Sequence, residues 1–201
     1  MTQPESNSKP RRRTRGAWLV ALCALLIVTG SGLIGGCSSP IPRRDPTGEM
    51  FPSVVGESLM GKKVQIPEAF SGEPVLLLVG YKQNTQFDLD RWLLGLTQLG
   101  LDVEVREIPT IAGLVPGMIG TWIDGGMRRG IPSEDWGAVI TVYGDAKKIQ
   151  RVTGTENAMP GRILLLDAEG RIAYFHDRGY SVGALKRLEA VLEERTAPSR
   201  E

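Results

Sequence analysis

From Phe51 onward, apolar and polar residues fall into short blocks whose period changes along the chain. After the Gly61-Lys62-Lys63 turn, Val64 and Ile66 alternate with polar neighbours, which predicts a hairpin of two short strands. Pro74 introduces Val75-Leu76-Leu77-Leu78-Val79, a continuous apolar run of the kind buried on both faces of a sheet. Leu89, Trp92, Leu93, Leu96 and Leu99 then recur at helical spacing, with Asn84 or Thr85 available as a cap and Gly100 as a stop. Val103, Val105 and Ile108 predict the next strand, ended by Pro109. Residues 137–143, 163–166 and 172–175 predict three more. Asp145 is placed to cap a short helix over 147–152, and Asp167-Ala168-Glu169-Gly170 signals a tight turn. Ser181 precedes a last helix with Val182, Leu185, Leu188 and Leu192 on one face. Between the second and third of the sheet-type runs, residues 110–136 lack a clear period. The order predicts an α/β fold: a mixed sheet flanked by helices, with an N-terminal β-hairpin and an additional strand-helix unit.

The first fifty residues follow different rules. Lys9, Arg11, Arg12, Arg13 and Arg15 precede a stretch from Ala17 to Gly36 with no charge. A basic region before an uncharged apolar run is the pattern of a secretory signal. The run ends in Leu33-Ile34-Gly35-Gly36-Cys37, which resembles the bacterial lipobox, an aliphatic residue and two small ones before the cysteine that takes the lipid. The resemblance implies cleavage before Cys37 and lipidation there. An uncleaved membrane anchor is the alternative, because the run has the ~20 residues that span a bilayer. In both cases the Arg cluster stays cytoplasmic and the rest is exported. Ser38 in place of the Asp that retains lipoproteins at the inner membrane implies the outer membrane. Residues 38–50, rich in Ser, Pro and Arg, read as a flexible tether. The expected organisation is a signal over 1–36, a lipidated terminus and tether over 37–50, and a domain over 51–197.

Composition gains meaning only after this division. The chain has 201 residues, 24 Lys and Arg against 23 Asp and Glu, two Cys and one His. Near-neutral charge excludes the strong basic excess of a nucleic-acid protein. Two Cys and one His exclude a disulfide-rich scaffold and a Cys/His zinc site. Removing residues 1–36 takes away five basic residues and one acidic residue, leaving 165 residues with a net charge of −3. Cys23 leaves with the signal and Cys37 carries the lipid, so the predicted domain holds no thiol.

The stretch from Met159-Pro160-Gly161-Arg162 through Ile163-Leu164-Leu165-Leu166 and Asp167 to Gly170 resembles the C-terminal half of thioredoxin-like proteins. There a cis-proline opens a buried strand, a tight turn follows, and a last helix packs on the sheet. Residues 145–153 and the Gly56–Lys62 opening, with Pro67, Gly72 and Pro74, are similar to the peroxiredoxin and membrane-tethered reductase branch. The resemblance spans about residues 51–195. It implies redox chemistry in the loop after the first buried strand, where the family carries Cys-x-x-Cys or a peroxidatic Cys. Here that loop reads Gly80-Tyr81-Lys82-Gln83-Asn84-Thr85-Gln86-Phe87. Disulfide reduction and thiol peroxidation need a thiolate, as does soft-metal delivery, so all three are excluded. A fainter similarity, in the Gly-Lys opening, the Trp-bearing helix and the Asp167–Gly170 turn, is to the mitochondrial ATP-synthase assembly factors. These share the fold without the redox pair, and no functional residue is carried over from them.

Three groups of residues are candidates for function. Lys82, Gln83, Asn84 and Gln86, beside Pro160, occupy the family's chemical loop and offer polar groups to a peptide or small polar ligand; capping the following helix is their structural role. Met118, Trp122 and Met127, on a segment loosened by six Gly residues, suit an adaptable apolar partner surface or, equally, a core helix. His176, followed by Asp177 and Arg178, is the one imidazole available for acid–base work with Lys82 or Asp177; a local ion pair at a strand end is the simpler reading. No catalytic, cofactor-binding or metal residue is assigned, and no cofactor is expected. The expectation is a non-redox lipoprotein on the periplasmic side of the envelope that binds or helps assemble an envelope or membrane protein. Its alternatives are a non-thiol enzyme using His176 and a non-catalytic partner of a thiol oxidoreductase.

Overall fold

A computed structural model describes residues 39–113 and 120–196, with the side chains of residues 120–123 and 196 left out. Strands β1 (Val54–Ser58) and β2 (Lys63–Ile66) form the expected hairpin. Strand β3 (Val75–Gly80) leads into helix α1 (Gln86–Leu99), which returns the chain to β4 (Glu104–Pro109), parallel to β3. Helix α2 (Gly120–Gly130), strand β5 (Ile140–Thr141) and helix α3 (Ala146–Thr153) follow. Strands β6 (Arg162–Leu166) and β7 (Ile172–His176) make an antiparallel hairpin, and helix α4 (Val182–Thr196) closes the domain. The main sheet has the order β4-β3-β6-β7, and a second sheet the order β2-β1-β5.

The unbroken apolar runs of β3 and β6 sit in the middle of the main sheet, as burial on both faces requires. Side chains alternate across it. Leu77, Val79, Leu164 and Leu166 join Phe51, Ile66 and Ile149 on one face. Leu76, Leu78, Ile163 and Leu165 meet Leu89, Trp92, Leu96, Leu185 and Leu188 of α1 and α4 on the other. Each fully buried Leu or Ile contributes roughly 2 kcal/mol from removal of its surface from water.

The structure departs from the pattern in five places. The strand expected over 137–143 shrinks to two residues: Ile140 and Thr141 pair with β1, while Val139 and Val142 make single bridges to Glu107 of β4 and to Thr110 just after it. The aperiodic stretch contains α2. Its Gly125 and Gly126 face open space. Asp124 is buried under Tyr143, whose hydroxyl donates to it at 2.9 Å. Arg128 Nε donates to the Leu59 carbonyl at 2.7 Å. Of the expected helix caps, Ser181 accepts the Ala184 N–H at 3.1 Å, whereas Thr85 and Asp145 make no side-chain cap bond: Thr85 accepts the Lys82 N–H at 3.3 Å, and Asp145 accepts the Val55 N–H at 3.0 Å and pairs with Lys148. Pro160 follows a trans peptide bond, and the cis bond among the described residues precedes Pro67. Residues 41–50, read as tether, lie against the domain that begins at Phe51. Gly48 N–H donates to Ile172, Ile172 N–H to Glu49 and Phe51 N–H to Gly170, and Phe51 enters the core. Backbone pairing of this kind needs no apolar pattern, which is why composition alone suggests a free segment.

Candidate functional site

The end of β3, the start of α1 and the loop before β6 meet at one corner. Asp88, in the first turn of α1, ties that helix to the loop before β6 and to the loop before α4. Its Oδ2 accepts the Gly161 N–H at 2.9 Å and its Oδ1 accepts the Tyr180 N–H at 2.7 Å. The approach is so close that a Cβ on residue 161 would lie 2.4 Å from Leu89 Cδ2, so any side chain there would force Leu89 to shift.

On the outer side of this corner, Lys82, Gln83, Asn84 and Gln86 are all exposed. Thr85 is buried and closes the 3-10 turn Gln83–Thr85 that carries them. Gln86 Nε2 donates to Asp90 at 2.9 Å and to Glu107 at 3.2 Å. Burial, together with Asp90 and Asp135, holds the Glu107 carboxyl above its ordinary range against the pull of the Gln86 bond. Two large apolar side chains stand in water here. Phe87 is 70% exposed, and Met159, next to Pro160, is 50% exposed.

The inner side is a closed polar knot around Arg162, which is 2% exposed. One guanidinium donates to three carbonyls: Pro160 at 2.6 Å, Asn157 at 2.6 Å and Gly154 at 3.1 Å. Its cation lies 4.8 Å from the centroid of the Tyr81 ring. The Tyr81 hydroxyl is 2.5 Å from that of Thr153. Thr153 itself donates to the Ile149 carbonyl, so Tyr81 is the donor of the pair. Burial pushes the Tyr81 phenol up to about 12, and desolvation lowers Arg162 from its ordinary value. A recess of about 310 Å³ beside the knot is lined in part by Arg43, Asn157, Arg162 and Asp177.

Asp177, buried at 6% exposure, does not orient His176. Its two oxygens accept Arg43 Nε at 2.7 Å and Arg43 NH2 at 2.5 Å. His176 Nε2 is 2.8 Å from the Gly179 carbonyl, and the ring packs 5.6 Å from Trp92. The carboxylate that would assist an acid–base histidine is therefore committed elsewhere, and the ion pair at this strand end is with Arg43 rather than with a neighbour in sequence. Of the apolar candidates, Met127 is half-buried on α2, Trp122 lies in that helix with its side chain outside the description, and Met118 lies outside the described residues.

Lys82–Gln86 and Pro160 are thus brought to one corner, as their positions in the chain imply. Asp88, Tyr81, Arg162 and Arg43 were not foreseen. An Arg heading an otherwise apolar strand run was the one signal for Arg162. Asp88 reads in sequence as an acid in a helix first turn, favoured there by the dipole.

No family model matches the chain, and no curated protein does. Solved structures do. They include a thiol peroxidase from Chromobacterium violaceum, at 17% identity over 78% of this chain and 91% of that one, with a TM-score of 0.50. BsSco, of the Sco family of cytochrome c oxidase assembly proteins, matches at 13% identity over 78% and 99%, with a TM-score of 0.50. The thioredoxin domain of a thiol-disulfide oxidoreductase from Bacteroides vulgatus matches at 17% identity over 74% and 99%, with a TM-score of 0.49. At such identities the likeness concerns the fold alone: the domain is thioredoxin-like. Its loop after the first buried strand contains no cysteine, and neither does any residue after Cys37.

Proposed function

We propose that this chain is a lipid-anchored, exported thioredoxin-like protein that uses the family's chemical corner to bind an envelope protein and assist its assembly, without thiol chemistry. The reading rests above all on the contrast within that corner. The backbone is pinned by Asp88 and Arg162, while the side chains that would carry chemistry are replaced by exposed amides, Lys82 and two exposed apolar residues, Phe87 and Met159. A rigid frame with exposed apolar and amide groups suits recognition of a polypeptide, because little ordering entropy is lost on binding. The absence of thiols after Cys37 removes the chemistry that the fold otherwise serves. The anchor follows from the Leu33–Cys37 pattern, and the periplasmic face of the outer membrane follows from Ser38.

The test is a photo-crosslinking residue at Gln86 in the native envelope. The expected result is a discrete protein adduct. Absence of any protein adduct from Gln83 and Gln86 alike would refute the binding role. For the anchor, palmitate incorporation is expected to vanish in Cys37→Ala, and retained labelling contradicts lipidation there.

A further inference from the structure

We infer that the binding corner works at the bilayer surface, and that its partner is the membrane-proximal segment of a membrane protein. The inference rests on the binding role proposed above and narrows it to one kind of partner. The carrying observation is how soon the chain becomes bound to the domain after the anchor. The Ile41 N–H donates to Thr155 Oγ1 at 2.9 Å, and the Ile41 carbonyl accepts the Thr155 and Glu156 N–H groups, both at 2.9 Å. Arg43 follows with its paired bonds to Asp177 and an N–H bond to Glu156 at 3.1 Å. Gly154 has a φ of +73° and passes so close to this segment that a Cβ would sit 2.7 Å from the Pro42 carbonyl oxygen.

Three residues separate Cys37 from Ile41, four Cα-to-Cα steps with a reach of at most about 14 Å when fully extended. The uncleaved-anchor alternative, ending at Gly36, changes that reach by one residue. The residues that Ile41 grips, Thr155 and Glu156, belong to the same short loop as Met159 and Pro160. Arg162 gathers Gly154, Asn157 and Pro160 of that loop onto a single guanidinium and Ile41 is bonded to the same loop, so the loop cannot swing away from the anchored segment without breaking hydrogen bonds. The anchor therefore holds Met159, and with it the Asp88-pinned start of α1 that carries Phe87, near the headgroups. A site kept there meets the juxtamembrane stretches of membrane proteins, where apolar side chains stand next to polar ones. Its exposed mix of amide, Lys, Phe and Met groups complements such a stretch. A soluble partner would gain nothing from so short a leash.

The experiment inserts twelve residues of alternating Ala and Pro between Ser39 and Pro40 of the full-length protein. Such a spacer extends about 3.1 Å per residue and lifts the domain by roughly 37 Å. Thermal unfolding of the domain should not change, since no bond from Ile41 onward is touched. Crosslinking from Gln86 to the captured protein should fall at least tenfold, and that protein should carry membrane spans. Undiminished capture with the spacer overturns the inference and leaves the binding role standing. Adducts to lipid alone overturn it in favour of contact with the bilayer itself. No protein adduct even without the spacer removes both readings.

Discussion

The two sides of the loop from Thr153 to Gly161 use polar groups in opposite ways. On the inner side, Arg162 is buried; its two terminal nitrogens donate to three carbonyls, its Nε has no partner, and its cation lies over an aromatic face, so that side is committed to holding the fold. On the outer side, Lys82, Gln83 and Asn84 are exposed beside Phe87 and Met159, where apolar surface in water is a cost to the isolated domain. The difference separates residues whose loss unfolds the protein from residues whose loss leaves it folded but unable to bind. The backbone of this corner is pinned, and the loop between β3 and α1 carries no cysteine.

The contrast can be broken most severely at Arg162. Arg162→Ala removes the donor shared by the Gly154, Asn157 and Pro160 carbonyls and leaves a void under Tyr81, and should destabilise the domain by about 2–4 kcal/mol in denaturant unfolding. A change below about 1 kcal/mol would mean that the knot is not structural. Asp88→Ala frees the Gly161 and Tyr180 N–H groups and should cost about 1–3 kcal/mol. It should also speed amide exchange at those two residues, and unchanged exchange would show that Asp88 does not pin the corner.

Glu107 sharpens the comparison through pH. Its folded carboxyl lies above its unfolded value, so the folded state binds the proton more tightly and stability falls as pH rises through that interval. Glu107→Gln should therefore raise the melting temperature at pH 7, with the gain vanishing near pH ~3, where the wild-type carboxyl is protonated in both states. A gain equal at both pH values would contradict the shift. The smallest effect on folding belongs to Lys82→Ala and Gln83→Ala, each within about 0.5 kcal/mol of wild type. If either exceeded 1 kcal/mol, the outer side would be structural as well.

How far the sequence could be read follows the same division. Strands β3 and β6 and helices α1 and α4 are legible because burial imposes unbroken runs or helical spacing on Val75–Val79, Ile163–Leu166, Leu89–Leu99 and Leu185–Leu192. The position of Lys82–Gln86 beside Pro160 follows from the element order. Hidden were the contacts made by single polar groups over long separations, such as Arg43 with Asp177 and Asp88 with Gly161, since hydrogen bonding leaves no periodic trace. Helix α2 was hidden for another reason: its glycines break the pattern, and among its described side chains Asp124 and Arg128, two charged residues that no hydrophobic template counts, bond it to the domain.

The central claim is that the outer side of the corner is a protein-binding face rather than a vestige of a redox loop. Its most direct test is the yield of the Gln86 crosslink in the native envelope for the double variant Phe87→Ser with Met159→Ser, against Leu94→Ser, an equally exposed apolar position further along α1. The account predicts at least a tenfold loss of the captured protein for the double variant and no loss for Leu94→Ser, with both variants as stable as wild type. Equal capture by the double variant and the wild type would contradict it.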